Sequence, residues 1–346
     1  MRTFRIANCE FRIAPIAMCI LGLALALLAA PLAVEAQQAG KMYRIAYVHY
    51  PTRLNAVALA GLEAFRQVLR DLGWIEGKNL VIELRLAESD EKLPEMAAQV
   101  VREKFDLLVT SNTLAAMAVK EATTTIPMVM TGACDPVPCG VVGSLAHPGG
   151  NITGATVITG EVAGKRIEFL KEIVPGLRRV AALPYGADTF CVRMVWLTQS
   201  EATARALGLT LQRVEVDTWM SGDRWDTTFA ALKKDGVGAV SVMEGPPYVL
   251  QGPQIAAAAL KHGLATVFPY REQVEAGGLM SYGADLVGMW QRAAHLVDRI
   301  LRGAKPGDLP IEQPTTFELV INLRTATALK LTISPALRIR VDQVIE

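Results

Sequence analysis

Short apolar runs and stretches of helical periodicity alternate from Tyr43 onward, and that alternation confines the chain to parallel sheets covered by helices on both faces. Tyr43–Tyr50 reads as an inner strand. Leu59, Leu62, Phe65, Leu69 and Leu72 recur at helical spacing and stop at Gly73, a natural C-terminal end. Asn79–Leu86 alternates, with Leu80, Ile82, Leu84 and Leu86 on one face of a strand. Asp90–Lys104 is a helix and Asp106–Thr110 a strand. Ser111, Asn112 and Thr113 then start a third helix with capping side chains, and Ile126–Met130 is the fourth strand.

The pattern begins afresh after Gly154. Helices are expected over Glu161–Val174, Cys191–Leu207, Asp223–Lys234 and Gln254–His262. Strands are expected over Arg179–Leu183, Thr210–Val216, Ala239–Met243 and Ala265–Phe268. This makes a second α/β lobe without a close internal repeat. The late pieces are a strand-like Gly277–Gly283, an amphipathic helix Asp285–Arg302, a strand Thr316–Asn322 and a short helix Leu323–Leu329. None can bury its apolar face alone, so they must dock back onto the earlier lobes. Several chain crossings follow, with a hinge near Ala155, Met280 and Pro314. The expected division is 42–155 plus 281–313 for lobe one and 156–280 plus 314–346 for lobe two.

The end of lobe one's first segment is Ile126–Thr156, where an apolar strand gives way to a small-residue turn, Thr131–Cys134, and then to Asp135-Pro136. Asp is placed to cap and Pro to occupy the first turn of a helix ending near His147, before Pro148-Gly149-Gly150-Asn151. Such a strand, turn and helix start borders the crevice at the strand ends of an open sheet.

Residues 1–36 are read separately. Arg2, Arg5 and Arg12 precede the apolar run Pro15–Ala33, and Val34-Glu35-Ala36 offers small residues for cleavage. This is the pattern of a secretory signal peptide, with a retained anchor as the competing reading. Its removal takes three Arg and two Glu from totals of 35 basic and 34 acidic residues, leaving 32 of each. No basic surplus points to nucleic acid, and no second long apolar run points to a span in the mature chain. Export to an oxidising compartment permits disulfides, and Cys134, Cys139 and Cys191 survive cleavage. Isolated buried thiols come first, a Cys134–Cys139 bridge second and a metal site last, because no CxxC or HxxxH spacing occurs. No cofactor motif is present.

Ligands of open sheets lie beyond the carboxyl ends of the strands. Lobe one offers His49–Thr52, including Tyr50, then Ser111, Asn112 and Thr113, and Thr131 to Asp135. Lobe two offers Tyr185–Thr189, Glu244–Pro246 and Tyr270. Hydroxyls and free N–H groups at Ser111–Thr113 suit a carboxylate, with plain N-capping as the alternative role. Asp135 either caps its own helix or receives a ligand ammonium. Glu244 is the better partner for a cation, since the two prolines after it leave no obvious helix to cap. Tyr50, Tyr185, Tyr270 and Tyr282 can stack on a flat ligand, or simply pack on the lobe surface.

Several ordered stretches carry a resemblance. They are GLEAFRQVLRDLGWIEGKNLVIELRLAESD from Gly61, TTIPMVMTGACDPVPCGVVGSLAHPGGNITG from Thr124, GKRIEFLKEIVPGLRRVAAL from Gly164 and EAGGLMSYGADL from Glu275. AKPGDLPIEQPTTFELVINLRTATALKLTI from Ala304 and the closing RVDQVIE complete the set. Together they resemble the ABC-transporter substrate-binding proteins whose better-known members take up aromatic amino acids. The resemblance implies a two-lobed, type I-like periplasmic binding fold with three inter-lobe crossings, an ABC permease as membrane partner, and a small-molecule ligand. Cys134 stands where the family's Gly-Asp-Pro turn has Gly, Cys139 replaces a small polar residue, and Tyr185-Gly186-Ala187-Asp188 replaces an Asn-Pro-rich turn. These departures leave the ligand open beyond a small organic solute such as an amino acid. Two rivals remain. One is the same module delivering ligand to a membrane receptor. The other is an exported α/β hydrolase, which lacks both G-x-S-x-G and a Walker loop here.

Overall fold

Two separate sheets carry the chain. The computed structural model describes residues 41–50, 56–186, 190–216 and 222–346. The expected signal peptide, and Pro51, Thr52 and Ala187–Thr189 of the expected ligand loops, lie outside the described residues.

The first sheet is parallel, in the order β2-β1-β3-β4-β5, from β1 (Tyr43–His49), β2 (Leu80–Leu86), β3 (Leu107–Thr110), β4 (Met128–Cys134) and β5 (Ile152–Val157). Helices α1 (Ala56–Asp71), α2 (Leu93–Arg102) and α3 (Thr113–Ala122) connect its strands. The second sheet has seven strands in the order β12-β11-β10-β9-β8-β6-β7. Its parallel run uses β6 (Arg179–Leu183), β7 (Thr210–Arg213), β8 (Ala239–Val242) and β9 (Ala265–Phe268), and β10 (Met280–Ala284) joins β9 in parallel. Only the β10–β11 pairing is antiparallel among the described strands, β11 being Phe317–Asn322; β12 (Gln343–Ile345) closes that edge. Helices α4 (Thr159–Ile173), α5 (Cys191–Ala206), α6 (Gly222–Lys234), α7 (Pro246–Leu250), α8 (Gly252–Lys261) and α9 (Arg271–Glu275) belong to this half. They are followed by α10 (Leu286–Leu301), α11 (Leu323–Ala328) and α12 (Pro335–Arg338).

The chain passes between the sheets three times: from β5 to α4 at Ile158, from β10 to α10 at Asp285, and along 310–316 on the way to β11. On the third passage Glu312 N donates to Gly154 O at 2.8 Å and Thr156 N donates to Glu312 O at 2.9 Å, so that segment is laid along β5. All five residues of β10 pair with β11 in the second sheet, whereas the sequence division gave 281–284 to lobe one. The strand cannot leave until Asp285 because Met280 to Ala284 pair in register with Ile321 to Phe317.

Two further expectations fail around β4. The turn expected at Thr131–Cys134 is strand, continued past a register shift between Met130 and Ala133. Thr156 Oγ1 donates to Ala133 O at 2.7 Å and holds the shifted part in the ladder. The helix expected from Pro136 to His147 does not form; turns occupy that stretch. Asp135 sits at φ +47°, and its carboxylate accepts from Thr159 N at 3.1 Å and from the Thr159 hydroxyl. It caps α4 across the first crossing instead of a helix of its own.

Helix α10 returns to the first sheet and packs on α1, where Gly61 faces the ring of Trp290; Trp290 Nε1 donates to the buried Tyr47 hydroxyl at 2.9 Å. A Cβ at Gly61 would lie 2.5 Å from Trp290 Cδ2. In an open helix interior Gly→Ala gains about 1 kcal/mol. Here overpacking costs about 1–3 kcal/mol and reverses the sign. Gly61→Ala is therefore expected to lower the midpoint of thermal unfolding, and a raised midpoint would show that Trp290 moves freely.

Candidate functional site

At the carboxyl ends of both sets of strands lies a cavity of about 130 Å³. From the first half it is lined by His49 and Tyr50 at the end of β1, Val57 and Ala58 on α1, and Ser111–Leu114 at the start of α3. Gly132 and Cys134 of β4, with Leu286 and Trp290 of α10, complete that side. The second half supplies Tyr185, Phe190, Val192, Glu244, Gly245, Val249 and Tyr270. Seven of the nine residues singled out from the sequence therefore line one cavity. Thr131 and Asp135 do not: Thr131 Oγ1 donates to Thr110 O at 3.3 Å inside the sheet, and Asp135 caps α4.

The start of α3 forms as its residues suggest. Asn112 Oδ1 accepts from Ala115 N at 3.0 Å, and Asn112 Nδ2 donates to Tyr50 O at 3.0 Å. Capping thus also fixes the end of β1. Thr113 Oγ1 lies 3.0 Å from Cys134 O as donor and 2.8 Å from Cys134 N as acceptor, tying α3 to β4. Ser111 Oγ and His49 Nδ1 are 2.7 Å apart, in a hydrogen bond whose direction follows the ring tautomer. Burial of His49 pushes its pKa down to about 4, so the imidazole is neutral around pH 7.

Opposite them stands Glu244, 6% exposed. Arg166 on α4, 1% exposed, brings Nη2 within 2.6 Å of Glu244 Oε1. The approach is an ion pair by distance but lacks hydrogen-bond alignment: among the described residues neither Glu244 oxygen nor Arg166 Nη1 has a hydrogen-bond partner. Arg166 Nε donates to Tyr282 O at 2.7 Å and so belongs to the frame. Glu244 is left as a desolvated carboxylate with acceptor capacity facing the cavity. The expectation that no helix follows it is corrected: α7 starts at Pro246, with Gly245 rather than Glu244 as its N-cap. Proline fits the first turn, where its missing N–H is no loss.

Aromatic rings make much of the remaining wall. Tyr50 and Tyr185 approach from opposite halves closely enough that each shifts the other's ionisation, and burial raises both phenols. Burial likewise raises Tyr270 and the Cys134 thiol. Tyr282 is elsewhere, stacked on Phe317 with ring centroids 5.8 Å apart. Phe190, Val192 and Trp290 escaped the sequence reading. Trp290 looked like one more apolar residue of an amphipathic helix, and only the return of α10 to the first sheet brings it to the cleft. Arg166 had a legible signal, a charge in the apolar stripe Val162, Arg166, Phe169, Leu170 and Ile173.

The cysteines pair in a way that was not anticipated. Cys139 and Cys191 form a disulfide, and Cys134 remains a free thiol.

Residues 48–345 match the family described as ABC transporter substrate binding protein. The chain belongs to that family. ABC transporter substrate-binding proteins bind small molecules outside the cytoplasm and are not an enzyme class. Among the described residues no helix is long and apolar enough to cross a membrane. A tyrosine-binding protein of Clostridioides difficile is 25% identical over 271 residues, covering 77% of this chain and 75% of that protein. A Streptococcus pneumoniae ABC domain solved in complex with L-Trp superposes with TM-score 0.79 at 23% identity, covering 88% of this chain and all of that one. A ligand-free, open substrate-binding protein from Clostridium difficile gives TM-score 0.63 at 18% identity, over 88% and 99% of the two chains. These likenesses establish a two-lobed substrate-binding fold with two mostly parallel sheets.

Proposed function

We propose that this substrate-binding protein captures an amino acid between its lobes and delivers it to an ABC permease from the periplasm. The observation that carries the reading is the buried Glu244 carboxylate, ion-paired with Arg166 but accepting no hydrogen bond among the described residues, in the same cavity as the start of α3 on the other lobe. An ammonium satisfies the first, and hydroxyl and N–H donors with a favourable helix dipole satisfy a carboxylate at the second. Tyr50, Tyr185, Phe190, Tyr270 and Trp290 leave an aromatic surround for a flat or apolar side chain. The tyrosine-binding relative and the neighbour holding L-Trp support a ligand of this class. Closure is a shift toward the state in which both lobes touch the ligand.

A thermal-shift screen of L-amino acids, related carboxylates and sugars tests the class. Stabilisation by amino acids is expected, and stabilisation by sugars alone would overturn it. Glu244→Gln keeps the side-chain shape and removes the charge. A charge-assisted hydrogen bond contributes about 1.5–3 kcal/mol, so titration calorimetry is expected to show affinity for the selected amino acid falling by about 10- to 100-fold. Unchanged affinity would place the ammonium elsewhere.

A further inference from the structure

We propose that the Cys139–Cys191 disulfide is a fourth tether between the lobes and a positioning element of the binding cavity, one that keeps the wall at Phe190 and Val192 close to the Cys139 loop and limits how far the lobes open. The proposal rests on the reading of this cavity as the ligand site. Cys139 lies in the connection between β4 and β5 of the first sheet, whereas Cys191 is the first residue of α5 against the second sheet, 52 positions later. The bond therefore crosses from one lobe to the other.

Each half-cystine is joined to the cavity. Cys191 is flanked in the chain by Phe190 and Val192, both of which line it. Cys139 N donates to Asp135 O at 3.0 Å, one residue from cavity-lining Cys134. The bridge also stands beside the first crossing. Gly160, in the first turn of α4, packs so closely that an added Cβ would lie 3.1 Å from Val195 Cγ1, one turn beyond Cys191.

The reach of the bond decides what can move. A disulfide holds its two Cα atoms within about 4.4–6.8 Å of each other, and here they are 5.2 Å apart. The Cys139 loop and the start of α5 can thus part by less than about 2 Å without cleavage. Glu244 sits by the chain crossings, where Arg166 of α4 reaches both Glu244 Oε1 at 2.6 Å and Tyr282 O at 2.7 Å, so the bridge holds a different part of the cavity's edge. The bridge turns a hinge of three chain crossings into one with an added pivot on the cavity's own edge. Excluding widely open states raises the fraction of protein that is competent to bind.

The test compares three forms of the mature chain: oxidised, treated with dithiothreitol, and Cys139→Ser/Cys191→Ser with Cys134 intact. Dithiothreitol supplies two electrons and two protons to the bridge, yielding two thiols, and is itself oxidised to its cyclic disulfide. Maleimide labelling after denaturation should count one thiol in the oxidised chain and three after reduction. Small-angle scattering of the ligand-free protein should give a larger radius of gyration for the reduced and double-Ser forms. If closed states fall to roughly a tenth of the population without the bridge, the apparent dissociation constant for the probe L-tryptophan rises about tenfold. Three thiols in the oxidised chain, or equal radii for oxidised and reduced protein, would overturn the proposal. A radius change with no L-tryptophan binding to any form would sink the choice of ligand and leave the tether standing. Should the double variant not fold, reduced wild-type protein with unchanged far-ultraviolet dichroism makes the same comparison. Unfolding on reduction would show the bridge to be a folding staple instead, and would end the positioning role.

Discussion

Arg166→Ala is expected to lower the free energy of unfolding by about 3–5 kcal/mol, the cost of leaving a buried charge without its partner. Glu244 would be that charge. It is 6% exposed, and Arg166 Nη2 is the cationic atom 2.6 Å from its Oε1. The same substitution removes the bond from Arg166 Nε to Tyr282 O, which ties α4 to β10 just before the second crossing. Chemical denaturation with far-ultraviolet dichroism measures the loss as a shift in midpoint at constant slope. Arg166→Met combined with Glu244→Gln should recover much of it, because it removes both charges and keeps most of the volume. The single variant should also be stabilised more than the parent by a cationic ligand, which becomes the nearest positive group to Glu244. A loss below about 1 kcal/mol, the range of an exposed pair, would mean that water reaches Glu244 and that the pair is not part of the frame.

How far each feature could be read from the sequence tracks how far its partners lie along the chain. Asn112 caps a helix through Ala115, three residues on, and that reading stands. The strands and helices of both sheets were legible for the same reason, since periodicity is a property of neighbours. Asp135 was expected to cap the residues after it, but the N–H and hydroxyl it accepts from belong to Thr159, 24 residues away. Cys139 was weighed against the nearby Cys134 and pairs with Cys191, 52 residues away. Arg166 reaches Tyr282 across 116 residues. Most cavity residues were found because they sit at strand ends, a position local pattern fixes. The chain crossings were legible, but the side-chain links at Asp135 and Cys139 were not, because no local pattern encodes which segment the other half presents.

Two of those buried groups oppose each other in the response to acid. Burial pushes His49 down to about 4 from an ordinary 6.5. It pushes Asp135 up to about 6 from 3.8, against the lowering effect of the Thr159 hydrogen bonds and with a smaller contribution from the charge on Glu244. For His49 the folded state binds fewer protons than the unfolded chain, so its contribution is full above pH 6.5 and is lost as pH falls toward 4. For Asp135 the folded state binds more protons, so its contribution is full below pH 3.8 and is lost as pH rises through 6. At 1.36 kcal/mol per unit, each amounts to about 3 kcal/mol across its own window, and over the shared window from about pH 4 to 6 the slopes cancel. Single variants should uncover them with opposite signs. Asp135→Asn, which can still accept from Thr159, is expected to lose stability relative to the parent on acidification from pH 6.5 to 4. His49→Gln is expected to gain it from pH 6 to 4. Subtracting the parent's unfolding curve at each pH removes the background from the other carboxylates. Two difference curves with the same sign, or both flat, would show that burial does not shift these two groups in opposite directions in the folded protein.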